Sequence, residues 1–201
     1  MKSTKQQLIL WPAFVLFLLL LSSQAVEGQE RASVLVVYHS VEGKTREMAE
    51  AVAEGAKRVQ HVRVKLATVS EATEDDVLKA DAIIVGSPVY NANVTPEVQQ
   101  FINRWPFRNA PLRDKIGAAF TTGGGISAGE ELVQLNLLHS MLIFGMIVVG
   151  GPDWRSAFGA SAVTAEEPFE AKGGHVSEQF LKKGRALGER VATAAVRMKQ
   201  R

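Results

Sequence analysis

Two kinds of apolar pattern alternate along this chain, and their alternation predicts its elements. Uninterrupted apolar runs occur at "SVLVVY" (33–38), "AIIVGS" (82–87), "IGAAFTT" (116–122) and "MIVVGG" (146–151). Short runs with no polar face predict strands buried on both sides. "HVRVKLA" (61–67) alternates apolar with polar residues instead, the pattern of an edge or near-edge strand. Between the runs, apolar residues recur at helical spacing. From about Thr45 to Val59 they are Met48, Ala49, Val52, Ala53 and Ala56. "TEDDVLKA" (73–80) reads as a short acidic helix capped by Thr73. "TPEVQQFINRW" (95–105) reads as a helix with Thr95 as cap, Pro96 at its first position and Glu97 in its first turn. "GEELVQLNLLHSMLIF" (129–144) and the amphipathic "SEQFLKKGRALGERVATAAVRM" (177–198) complete the helices, while 152–175 has no clear periodicity.

Strands that alternate with helices predict an α/β domain, a parallel sheet covered on both faces. Five strands in a domain of this size suit the doubly wound order 2-1-3-4-5, a step taken from fold-level regularity rather than periodicity. In such sheets ligands bind beyond the carboxyl ends of the strands, where the strand order reverses. That edge is where chemistry is expected.

The first residues follow neither pattern. Lys2 and Lys5 precede the uncharged stretch "LILWPAFVLFLLLL" (8–21), and "SSQA" then places small residues at Ser23 and Ala25. The stretch falls short of the roughly 20 residues that cross a bilayer. The expectation is a signal peptide, residues 1–25, removed after Ala25, with a linker over 26–32 and the domain over 33–201. An uncleaved anchor in an inner membrane is the alternative, and the chain's only membrane contact on this reading. Export to a bacterial periplasm is the expected location.

Removing the leader changes the charge. Two lysines leave with it, so 23 basic residues become 21 against 21 acidic ones. A neutral domain without a basic patch argues against nucleic acid as a partner. There is no cysteine, hence no disulfide, and the four histidines have no metal-ligand spacing.

Three of the buried strands end in unusual loops: "HSVEGKT", "SPVYNANVTP" and "TTGGGISAG". Gly43-Lys44-Thr45 imitates the end of a triphosphate P-loop, but the place of that motif's first glycine is Tyr38, inside a strand. The neighbouring strand ends "IIVGS" and lacks the aspartate that would hold magnesium. A compact cradle fits better. There a phosphate sits on a helix N-terminus, with Ser40 and Thr45 supplying hydroxyls and Gly43 close approach. Glu42 then points to solvent and Lys44 is not essential.

These stretches resemble a known family. "YHSVEGKTREMAEAVAEGA" is similar to the phosphate loop and first helix of flavodoxin-like FMN proteins. "GSPVYNANVTPEVQQFINR", "AAFTTGGGISAGEE" and "FGASAV" resemble the WrbA-type NAD(P)H:quinone oxidoreductases. The resemblance implies a flavodoxin-like fold, FMN as cofactor and NADH or NADPH as electron donor. It implies a phosphate loop of Ser40, Val41, Glu42, Gly43, Lys44 and Thr45. It implies a first ring-flanking loop of Pro88, Val89, Tyr90, Asn91 and Asn93, and a second of Thr121, Thr122, Gly123, Gly124 and Gly125. Two departures accompany it. A histidine that WrbA-type enzymes place near the flavin, two positions before a Gly-Met pair, is Ile143 here, with His139 one turn earlier. The connection leading into "AIIVGS" also lacks the family's inserted segment.

Three functions are therefore expected in order. The first is an exported FMN oxidoreductase that passes electrons to a quinone-like acceptor, with a homo-oligomer among its implied states. The second is a flavodoxin-like carrier that docks on a redox protein, which the neutral composition disfavours. The third is a binding module that has lost the flavin. No residue is singled out as a catalytic acid or base.

Overall fold

The computed structural model describes residues 31–170 and 172–200. The expected signal peptide, 1–25, and residues 26–30 of the expected linker lie outside the described residues. Residues 31–201 form one compact unit.

The chain-order elements are β1 (Ala32–Tyr38), α1 (Lys44–Lys57), β2 (Val62–Thr68), α2 (Glu74–Lys79) and β3 (Ala82–Pro88). There follow α3 (Pro96–Asn103), β4 (Ile116–Gly123), α4 (Glu130–Ile143), β5 (Ile147–Val148), β6 (Ala160–Val163) and α5 (Glu178–Lys199). The sheet runs β2-β1-β3-β4-β5, all neighbours parallel, so the flavodoxin-like order is as expected. Successive residues of the buried strands point to opposite faces. Val34, Val36 and Tyr38 of β1 therefore join the core under α1 and α5, while Leu35 and Val37 join the core under α2, α3 and α4.

One strand departs from expectation. "MIVVGG" is not a buried strand: only Ile147 and Val148 pair with β4, and Ile147 is 40% exposed. The chain leaves the sheet at Gly150-Gly151, where the loop folds back on its own backbone. Gly151 N–H donates to Ser156 O at 2.7 Å, and a Cβ at Gly150 would sit 1.8 Å from the Ala157 carbonyl oxygen. The chain returns as β6, inside the stretch without periodicity, and pairs Ala160–Val163 with Phe120–Gly123. Two short segments thus fill the fifth position along β4.

Helices α1 and α5 touch through their backbones. A Cβ on Gly55 would lie 1.9 Å from Arg185 O, and one on Gly188 1.9 Å from Val52 O. Each helix follows a strand and starts at the carboxyl edge of the sheet. First turns there carry Glu47 in α1, Glu74, Asp75 and Asp76 in α2, Glu97 in α3, Glu130 and Glu131 in α4 and Glu178 in α5. Last turns at the opposite edge carry Lys57, Lys79, Arg197 and Lys199. Both placements suit the helix dipole. No helix among the described residues is long and apolar enough to cross a membrane.

Candidate functional site

The sequence between β1 and α1 folds into a tight cradle. Ser40 Oγ accepts from Gly43 N–H at 3.2 Å and from Arg46 N–H at 3.3 Å, which winds the loop onto the first helical turn. Gly43 has φ 88°, a conformation glycine adopts without strain, and a Cβ there would meet no atom within 4 Å. Its requirement is thus backbone conformation, where the sequence suggested close approach. The N–H groups of Lys44 and Thr45 begin the helix and have no intrahelical acceptor, so they are available to an anion.

Thr45 connects this cradle to the end of β4. It is 2% exposed, and its Oγ1 lies 2.8 Å from Thr122 Oγ1. β4 continues into Gly123 and Gly124, whose carbonyls are braced from the chain after β6. Thr164 N–H and Oγ1 both donate to Gly123 O, and Ala165 N–H donates to Gly124 O. Glu166 extends the brace by accepting from Ile126 N–H at 2.7 Å. The loop after β3 is held by Val89 N–H donating to Thr122 O at 2.9 Å. A tight turn follows, with Tyr90 and Asn93 exchanging both backbone hydrogen bonds and with positive φ at Asn91 and Ala92.

These loops enclose one cleft at the carboxyl edge, between β1 and β3 where the strand order reverses. Its empty volume, mouth included, is about 550 Å³, within the range of small-molecule sites. Ser40, Val41, Glu42, Lys44, Thr45, Pro88, Val89, Tyr90, Thr122, Gly123 and Gly124 line it. Five expected residues do not. Gly43 shapes the helix start, and Asn91 and Asn93 build the turn, where Asn93 Nδ2 donates to Asn91 O. Thr121 is fully buried and donates to Glu130 O, and Gly125 packs toward the Glu166 carboxylate. Thr164 and Ala165 line the cleft and were not anticipated. The signal for them was "FGASAV" (158–163), which contains β6 and runs directly into Thr164.

Polarity within the cleft divides along its length. Backbone donors and hydroxyls gather at the α1 end, while Pro88, Val89 and Tyr90 face the Thr122–Gly124 segment at the other. Tyr90 is 45% exposed at the mouth. Glu42 is exposed, as expected, and Lys44 Nζ lies 3.7 Å from where a Gly174 Cβ would stand. The donor set and glycine-lined slot fit a flat ring carrying a phosphate. Ile143 ends α4 at the opposite edge, so that position contributes nothing to the cleft of its own chain. Among the described residues, no group of three or more His, Asp or Glu side chains could hold a metal ion.

Around the mouth the carboxyl edge is acidic. Glu42, Glu71, Glu97, Glu131, Glu166 and Glu167 are all exposed there. Lys44 and Arg46 stand among them, while Lys57, Lys79, Arg197 and Lys199 lie at the opposite edge, so the neutral composition hides this excess.

A phosphate cradle, a ring slot and the 2-1-3-4-5 sheet together define a flavodoxin-like FMN protein. The family of NADPH-dependent FMN reductases matches residues 32–160, and the chain belongs to that family. It is 35% identical to a flavodoxin of Aquifex aeolicus, over 79% of this chain and 84% of that protein. It is 30% identical to an NAD(P)H dehydrogenase (quinone) of Archaeoglobus fulgidus, over 83% and 99%. The crystal structure of a flavodoxin, WrbA-like protein from Agrobacterium tumefaciens superposes with a TM-score of 0.69 at 26% identity, over 83% and 98%. The protein is a WrbA-type, flavodoxin-like oxidoreductase with FMN as its cofactor.

Proposed function

We propose that this protein is an exported oxidoreductase that takes two electrons from NADH or NADPH and passes them to a quinone-like acceptor. The observation that carries the site is the convergence of three strand-end loops and the α1 N-terminus on one cleft. The relatives named NAD(P)H dehydrogenase (quinone) support this donor and acceptor, and the leader-like residues 1–25 support export.

FMN, when bound, supplies the hydride and electron chemistry. The chain's own residues orient and confine it. The N–H groups of Lys44 and Thr45 and the dipole of α1 would receive the phosphate. Ser40 Oγ already accepts two hydrogen bonds, which leaves its proton to donate. The Thr45–Thr122 hydroxyl pair fixes the phosphate end to the ring end. Pro88, Val89 and Tyr90 flank one side of the ring slot and Thr122 to Gly124 the other, with Thr164 and Ala165 behind. Glu42, Lys44 and Tyr90 are the ionisable side chains of the cleft lining, and none is assigned as an acid or base.

A second reading has its own support. The acidic edge and the flavodoxin relative suit a carrier that docks on a positively charged redox protein. FMN titration followed by stopped-flow mixing with NADH or NADPH, then benzoquinone, separates the two. The oxidoreductase is expected to bind FMN, bleach on nicotinamide and regain its colour on quinone. FMN binding without bleaching leaves the carrier, and no binding at excess FMN sinks both. Export is read from the mass of the protein in periplasmic and cytoplasmic fractions. A periplasmic form beginning at Val26 is expected, and a full-length cytoplasmic form would refute it.

A further inference from the structure

We infer that the amino-terminal edge of the sheet, opposite the cleft, is a docking surface for an anionic lipid bilayer. Three apolar side chains stand out from this edge: Phe107, Leu142 and Ile143 are 63%, 52% and 69% exposed. They share one groove with Phe144 and Gly145. The groove belongs to the starting edge of the strands, because Asp114 N–H donates to Gly145 O and Ile116 N–H donates to Asp81 O. Phe107 is held in place, its ring edge-on to Phe144 at 5.6 Å.

Charge at this edge complements an anionic surface. Arg108 and Arg113 are exposed there, and Arg113 and Lys199 share a groove with the acids Asp81 and Asp114, while Lys115 turns inward to donate to Leu78 O and Ala80 O. Asp81 is engaged by Lys199 at 3.0 Å. The exposed glutamates of the carboxyl edge lie at the far end of the strands. An anionic bilayer therefore attracts one end of the domain and repels the other, which sets its orientation.

Arg31, which precedes β1, is exposed at this same edge and adds a cation to it. Docked this way, the domain holds its cleft about 23 Å away across the strands, facing water. The electron acceptor then approaches from solution, as a short-tailed quinone or a soluble protein does.

Vesicle flotation tests the surface in a chain lacking residues 1–25, so that the leader cannot bind for it. Residues 31–201 keep both cores. Vesicles with about a third phosphatidylglycerol are expected to bind it about tenfold more tightly than phosphatidylcholine alone, and about 0.5 M salt to remove the difference. Leu142→Glu with Ile143→Glu is expected to abolish flotation while circular dichroism and melting stay as in the parent. Equal retention on both vesicle types, or flotation unaffected by the double substitution, overturns the inference. So does a dimer, seen by sedimentation, that the same substitutions dissolve in a chain that never floats. That result would assign the groove to a second copy.

Discussion

Thr45 is the residue on which the geometry of the cleft turns. As the third letter of Gly-Lys-Thr it imitates the end of a triphosphate P-loop. Buried against Thr122, it is instead the link between the first and third loops. Thr45→Val keeps the shape and leaves the Thr122 hydroxyl without its partner. The expected cost is about 1–3 kcal/mol, read by urea denaturation of the FMN-free protein, with Thr45→Ser retaining most of the stability. The residue was legible in the sequence as a candidate, because a hydroxyl at a helix start is a local signal. Its partner, 77 positions away, was not. Gly43 shows the same limit: a glycine was clearly required there, but only the φ of 88° says why.

At the scale of elements, one of the two expected caps formed: Thr95 stands at the start of α3, but its Oγ1 is buried without a hydrogen-bond partner and makes no capping bond. Thr73 caps α2 as its sequence predicts, in a reciprocal capping box with Asp76. Hydrogen bonds from Lys65 and then from the Thr73 N–H hold the Asp76 carboxyl down at about 2, and Lys65 Nζ lies 2.6 Å away. A carboxyl depressed in the fold stabilises above its unfolded value of about 3.9 and loses that contribution as pH falls through its folded value. Stability should therefore decline by about 1 kcal/mol, after screening, between about pH 5 and 2. Asp76→Asn should remove that part of an acid denaturation curve. The α1–α5 contact has no comparable sequence signal, since Gly55 and Gly188 sit in ordinary helical patterns. Their backbones leave no room for a methyl group, so Gly188→Ala should cost at least about 2 kcal/mol. A thermal melt of the variant checks this, and an unshifted melting temperature would contradict the packing.

For the whole molecule, net charge was a poor guide. Equal numbers of acids and bases suggested a surface without polarity and disfavoured a carrier. The fold separates them instead, because every helix starts at the carboxyl edge and helix starts favour acids while helix ends favour bases. A protein polarised in this way should reduce a basic cytochrome at a rate that falls at least about tenfold between low and about 0.3 M salt. Reduction of a neutral benzoquinone should change little over the same range. Stopped-flow measurements of the FMN-loaded, reduced protein with each acceptor make the comparison, and equal salt dependence would argue against an acidic docking edge.

By itself the sequence determined what local pattern can carry. Burial on both faces requires uninterrupted apolar runs, and burial on one face of a helix requires apolar residues at helical spacing, so β1, β3, β4, the phosphate loop and most helices were readable from adjacent residues. The strand ends then marked the edge where the loops would meet. Tertiary structure decided whatever depends on distant partners. A fifth strand made of two pieces needs β4 as its template, Thr164 and Ala165 reach the cleft only through β6, and the charge polarity exists only once the helices are aligned. In each case the deciding contact joins residues that no window along the chain contains.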